Sequence, residues 1–443
     1  MIMLRKVNGH EVDIEPIKIR DCNFPSPFHA GLEFSSPARG TWNIAHQGML
    51  IPEAHEIFVC AASCLRGVVL TAYEMRAEKR FSTVAVEEQN LVDGNMEELI
   101  IDGVSHIIDQ LPQKPPCVLV YTSCVHHFCG CDLELVYREL RKKHPDIDFT
   151  DCYMNPIMRK SGRTPDQIMR SRFYSLLKPR PIQKGTVAFI GNDFSTAKDS
   201  TLYKALSEAG IRIYELTECK TYEEYQEMAA AEYYIADYPS AKAGGEDLQA
   251  RLGGKLLYLP FTFSYEEIRK NVRELALHVP IRLPDFDKEE SLCEESLSKV
   301  KETIGQTPIA IDFAAFSRPL GLARLLLSHG FNVKRVYADS FTGEEKSDFD
   351  YLCQQEPDLE IWPTLDAQMR FASDRKTSDY LCIGQKAAHF NTAPHFVNIV
   401  ENGGLYGYQA ITELCRLMLD AFENEKDIRT LIQKKAWGCE SCI

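Results

Sequence analysis

From about residue 184 onward the chain keeps alternating short apolar runs with longer helical patterns, and few architectures accommodate that rhythm. TVAFIGN leads through TAKDSTLYKALSEAG into IRIYEL, and the series continues with YYIADY and KLLYLPF. A second series begins near residue 306 with TPIAIDF, the helical RPLGLARLLLSHG, NVKRVYAD, LEIWPT, DYLCIG and HFVNIV. Strands this apolar, joined through helices, are buried on both faces, as in a parallel sheet covered by helices. Earlier in the chain EIFVC, CVLVYTSC and IDFTDCY read as further strands, with a helix between Asn95 and Gln110 carrying the chain between two of them. The breaks KPRPIQKG and IRLPDFDKEE mark boundaries. A chain of 443 residues also exceeds the roughly 250 at which single cores stop growing. The expected fold is α/β, three Rossmann-like domains with mainly parallel sheets flanked by helices, at residues 1–183, 184–286 and 287–443.

Composition removes several function classes. A formal charge of -14 argues against a general nucleic-acid binder, which needs basic surface to displace counterions. No apolar span of about 18 residues suggests a membrane helix. The N-terminus MIMLRKVNGHEVDIE lacks the apolar core and cleavage site of a signal peptide, so the expected location is the cytoplasm. Neither GxGxxG nor GxxxxGK[ST] occurs, so no direct NAD or ATP site is expected. One local exception to the acidic balance is PIMRKSGRTPDQIMRSRF, residues 156–173. It reads either as a solvated helix face with its preceding loop or as a surface for an anionic ligand or acidic partner.

Cysteine placement bears most directly on chemistry. Of fifteen cysteines, those such as Cys117, Cys219, Cys293, Cys353 and Cys415 lie in or beside apolar segments and read as small buried hydrophobes. The N-terminal third differs. Cys22 stands in RDCNF, Cys60 and Cys64 in FVCAASCLRG, Cys124, Cys129 and Cys131 in YTSCVHHFCGCD, and Cys152 in DCYMNP. Thiolates are the soft donors an iron–sulfur cluster requires, zinc accepts the same residue types, and unligated core cysteines explain the pattern as well. The residues alone leave the three open. His126 and His127 suit a proton relay or ligation. On a strand adjacent residues face opposite sides, so one active and one structural histidine is the expectation. The tail AWGCESCI adds Cys439 and Cys442 as a CxxC, either metal ligands, a dithiol pair or a mobile end.

Taken in order, these segments resemble the nitrogenase component 1 superfamily, which comprises nitrogenase catalytic and cofactor-assembly subunits and dark-operative tetrapyrrole reductases. WNIAHQGMLIPEAHEIFVCAASCLRG resembles the family segment that ends in Gly-Pro-x-Gly-Cys. TSCVHHFCGCDLELVYREL is similar to the segment around its next cluster cysteine. The likeness spans essentially the whole chain. It implies that Cys22, Cys64 and Cys124 hold an iron–sulfur cluster, [4Fe-4S] and shared between subunits, with Cys60 competing with Cys64. It further implies a homologous partner subunit, in a homodimer or an αβ or α2β2 assembly, and a separate ATP-hydrolysing iron–sulfur reductase protein. Neither nucleic acid nor membrane is an expected partner.

The same likeness carries departures. Where molybdenum-iron nitrogenases anchor their cofactor through one cysteine and one histidine, this chain has residues near Asp237 and Val397. His389 and His395 do not match that motif. Reduction of dinitrogen by the familiar cofactor is therefore not expected; the candidate substrates are a tetrapyrrole, an organosulfur compound or another resistant unsaturated or thioether-like bond, and a second metal or a tetrapyrrole is a candidate further cofactor. ENGGLYGYQAITELCRLML resembles the family's pocket segment. Its glycines permit tight turns, and Glu401, Tyr406 and Tyr408 are pocket candidates without an assigned step. Arg39, His46, Glu53 and His55 surround the first cysteines; Arg39 is a candidate for orienting an anionic substrate, and His46, His55 and His126 for delivering protons. The leading expectation is one component of an ATP-coupled multicomponent reductase, an oxidoreductase of anaerobic chemistry. The alternatives are an assembly scaffold for a complex metal cofactor and a non-catalytic metal-binding interaction protein.

Overall fold

The computed structural model describes residues 14–29, 36, 44–74, 76–154, 163, 165–374 and 379–428. Three sheets organise the chain. β1 (Ile17–Lys18) comes first, and β2 (His55–Ala61), β3 (Phe81–Val86), β4 (Cys117–Ser123) and β5 (Asp148–Met154) build a four-stranded parallel sheet in the order β3-β2-β4-β5. β6 (Gln183–Ile190), β7 (Arg212–Glu215), β8 (Ala231–Ala236) and β9 (Lys255–Tyr258) form a second parallel sheet, ordered β7-β6-β8-β9. β10 (Pro308–Asp312), β11 (Asn332–Tyr337), β12 (Glu360–Trp362), β13 (Leu381–Ile383) and β14 (Phe396–Val397) make the third. Its far edge is β1, which runs antiparallel to β12 with Ile17 opposite Ile361. The first strand of the expected N-terminal domain thus closes the third sheet, and Cys22 goes with it.

Alternation along single strands explains how the layers adhere. In β6, Val187 and Phe189 enter a core shared with the third sheet, whereas Ala188 and Ile190 enter a core shared with the first. Likewise Phe58, Cys60 and Tyr121 face the second sheet, and Ile57, Val59, Val118 and Val120 face away. The outward face of the first sheet is covered by the helix Met96–Gln110, which buries Met96, Ile100, Val104 and Ile108 at a spacing of one turn. Gly103 lets that helix approach Val84 of β3 closely, since a Cβ there would lie 2.9 Å from the valine methyls. Among the described residues no helix is long and apolar enough to cross a membrane.

Candidate metal centre at the carboxyl edge of the first sheet

Parallel strands end along one edge, where chain turns leave room for ligands. β2 and β4 are neighbours in register, Val59 opposite Thr122, which sets Cys60 beside Ser123. β2 passes directly into the helix Ala62–Glu74, with Cys64 in its first turn. β4 passes into the short helix Cys124–Phe128, whose first residue is Cys124. Cys60 is buried, Cys124 half-buried and Cys64 exposed. Burial, then the neighbouring Cys64 and Cys124, push the Cys60 thiol up to about 12. Three sulfurs from two adjacent strand ends therefore share one neighbourhood.

Ser123 shapes the turn. Its backbone N–H donates to His126 Nδ1 at 3.1 Å, which leaves the proton of a neutral imidazole on Nε2. That Nε2 is buried and has no hydrogen-bond partner among the described residues. Burial lowers the His126 pKa. His127, on the same helix, is exposed. The two stand on a helical turn rather than a strand, with His126 buried and His127 exposed. Cys131 N–H then donates to the His126 carbonyl at 3.0 Å, and Gly130, at φ +66°, makes the left-handed turn this requires. Cys129 is exposed. Cys131 is half-buried, and burial, Glu97 and Cys129 raise its thiol to about 11.

Other expected members lie elsewhere. Cys22 sits at the end of the turn Ile19–Asp21 in the third sheet's layer, its Sγ donating to the Lys18 carbonyl at 3.5 Å. Burial, then Cys353 and Asp21, raise its thiol to about 12. His55 begins β2, at the opposite edge from Cys60, and its Nε2 bonds Ser82 Oγ at 2.8 Å. Burial and the Arg80 charge push it down to about 4, so it is neutral where a proton shuttle would titrate. His46 lies on the helix Ile44–Gly48 with its ring 6.3 Å from Phe194. Arg39, Cys439 and Cys442 lie outside the described residues.

Cys64, exposed, and Cys124, half-buried, are soft thiol donors of the kind an iron–sulfur cluster takes, with Cys60 buried next to them. Among the described residues no group of three or more His, Cys, Asp or Glu side chains is arranged to hold a metal ion.

Two polar clusters escaped the sequence reading. Glu56, the first residue of EIFVC, is fully buried, accepts from Tyr121 Oη at 3.3 Å, and leaves Oε2 without a partner among the described residues. Burial raises its pKa well above the carboxylate range. At the carboxyl edge of the second sheet Arg170 pairs with Asp193 at 3.1 Å and lies 5.5 Å from the Tyr238 ring. Asp237 belongs to this cluster, and burial followed by the Glu215 charge pushes it up to about 7. The acidic residues just after β6 and β8, in GNDF and ADYP, were the available signal. Val397 is packed in the core, and burial pushes His389 down to about 4. His395 Nδ1 bonds the Ala421 carbonyl at 2.9 Å. Tyr406 and Tyr408 donate to the Leu259 carbonyl and to Glu290, so both hydroxyls brace the fold. Glu401, at φ +50°, opens the glycine-rich turn before them.

A family profile described as "Nitrogenase component 1 type Oxidoreductase" matches residues 48–422. No curated protein matches the sequence. Among solved structures, "Nitrogenase Cp1 at pH 6.5" is similar with a TM-score of 0.65 at 12% identity, over 99% of this chain and 97% of that one. "Nitrogenase Cp1 at pH 5" is similar with a TM-score of 0.58 at 11% identity, over 93% and 91%. At such identities the structural likeness speaks for the fold.

Proposed function

The chain belongs to the nitrogenase component 1 type oxidoreductases, and from that premise we propose that it is the catalytic-component subunit of an iron-protein-dependent reductase. The observation that carries the reading is the meeting of Cys60, Cys64 and Cys124 at the carboxyl ends of β2 and β4. Cys64 and Cys124 would hold a [4Fe-4S] cluster, with buried Cys60 as the third thiol of this chain. Such a cluster, when bound, supplies electrons of low potential. Among the described residues the thiol set is incomplete, and in this reading a homologous subunit contributes the rest, in a homodimer or a hetero-assembly. His126, neutral and carrying its proton on Nε2, is the residue of this chain placed to hold a proton beside Cys124. A separate ATP-hydrolysing iron–sulfur protein is the electron source; the lack of a phosphate-binding loop motif in this sequence supports that division of work.

Asp237 and Val397 offer none of the familiar molybdenum-iron anchoring chemistry, so the acceptor is a different one, a second metal centre or a tetrapyrrole. That same lack of anchors favours a second reading, a scaffold from which a complex metal cofactor is handed on. Anaerobic turnover with and without an iron protein, nucleotide and a low-potential donor separates them. A reductase consumes nucleotide and oxidises the donor in a strictly iron-protein-dependent way. A scaffold binds and releases metal cargo without either.

A further inference from the structure

The basic stretch 156–173 is not absorbed by the cluster reading, and its described part opens onto something specific. The helices Pro165–Ser175 and Lys242–Leu252 pack closely, with the Arg170 backbone 3.5 Å from where a Cβ on Gly244 would stand. Beside this contact lies a cavity of about 370 Å³ lined by Arg163, Arg172, Arg251, Ser171, Ser175 and Asp247, among others. A second cavity of about 410 Å³ adjoins it, shares Ser175 and Arg251, and adds Arg141, Lys178 and Asp148. Together they make one open groove along the helix Pro165–Ser175 and the start of β5.

The charge of the groove is unbalanced. Arg163 is matched by Asp247 through bonds of 2.7 and 3.2 Å, Arg172 by Asp151 at 3.0 Å, and Lys178 by Asp148 at 2.7 Å. Among the described residues Arg251 donates to the carbonyls of Tyr174 and Leu177, and Arg141 donates to the carbonyl of Phe149 at 3.2 Å and lies 5.8 Å from the Tyr137 ring. Neither guanidinium meets a carboxylate among the described residues, so two positive charges remain uncompensated on a chain of net charge -14. A carbonyl neutralises no charge, and each of these guanidiniums keeps N–H donors beyond those it uses.

We propose that this groove binds a small anion carrying two or more phosphoryl groups. The excess cations sit in different parts of it, Arg141 in the second cavity and Arg251 at the junction, which suits two linked anionic centres better than one. Guanidinium forks match phosphoryl oxygens in pairs, and volumes of this size are those of small-ligand sites. The side chains of Arg163, Arg172 and Lys178 are 44, 40 and 65% exposed, so an incoming ligand reaches them without rearrangement of the core. The site is distinct from the cysteines and stands independently of the proposed function.

The test is titration calorimetry of the full chain with pyrophosphate, orthophosphate and citrate at fixed ionic strength. Pyrophosphate should bind saturably, once per chain, with orthophosphate and citrate at least tenfold weaker. The double substitution Arg141→Gln with Lys178→Gln should weaken pyrophosphate at least tenfold while thermal unfolding is unchanged. Lys288→Gln, on the distant helix Phe286–Ile304, should leave binding as it was. Absence of saturable binding overturns the proposal, as does citrate binding as tightly as pyrophosphate or an unaltered affinity in the double variant.

Discussion

His55 provides a test of which histidines belong to the chemistry. Its imidazole is buried at the start of β2, bonded to Ser82, and pushed from an ordinary 6.5 down to about 4. Between those values the unfolded chain binds the proton and the folded chain does not, so this residue's contribution to stability falls as pH falls from about 6.5 towards 4. Linkage over that interval makes the folded state lose about 2 kcal/mol on going from pH 7 to pH 4.5 on account of His55 alone. Buried acids oppose this. Asp237 and Glu345, raised to about 7, favour the folded state as pH falls. The comparison must therefore be made against His55→Gln, whose amide can still reach Ser82. Urea unfolding followed by circular dichroism at pH 7 and 4.5 should show the wild type losing about 2 kcal/mol more than the variant. Equal losses in the two proteins would refute the placement of His55 as a neutral, structural group and return it to the list of proton carriers.

Other outcomes follow from the same geometry. Gly48→Ala would drive a Cβ onto Glu56 Oε1 and Tyr121 Oη; a loss of about 1–3 kcal/mol in denaturant unfolding is expected from such overpacking. Glu56→Gln removes a buried carboxyl whose pKa is raised. A raised acid penalises folding increasingly as pH climbs above its unfolded value of 4.5, so the variant should gain stability over wild type as pH rises from about 4.5 to about 7, and an unchanged difference across that range would contradict its burial as an acid. Cys22→Ser, in the third sheet's layer, should leave bound iron unaltered; a drop in iron would show that Cys22 does reach the cluster.

The parts of the fold legible in the sequence were those whose strands are buried on both faces. TVAFIGN, YYIADY and CVLVYTSC have no polar side to confuse them, and each is a strand. FSTVAV was missed because β3 is an edge strand, half-exposed, with its polar residues where a turn is equally plausible. β1 was invisible for a different reason: two residues pair with a strand more than 340 positions away, and no local pattern encodes that. The same long-range pairing removed Cys22 from its expected company, since order along the chain had stood in for position in space. That Cys64 and Cys124 stand near one another could be read from their places just after two strands, since neighbouring parallel strands end together. Glu56 was hidden by its apolar neighbours, and only burial reveals what its carboxyl does.

The central claim is that Cys64 and Cys124 hold an iron–sulfur cluster jointly with a second subunit. Strictly anaerobic purification, with iron and acid-labile sulfide counted per chain and the reduced protein examined by EPR, tests it most directly when wild type, Cys64→Ala and Cys124→Ala are run side by side. Wild type should carry about four irons and four sulfides per two chains, with both falling and the spectrum lost or altered in each variant. Wild-type protein that takes up neither iron nor sulfide on reconstitution, or variants with unchanged content and spectrum, would contradict it.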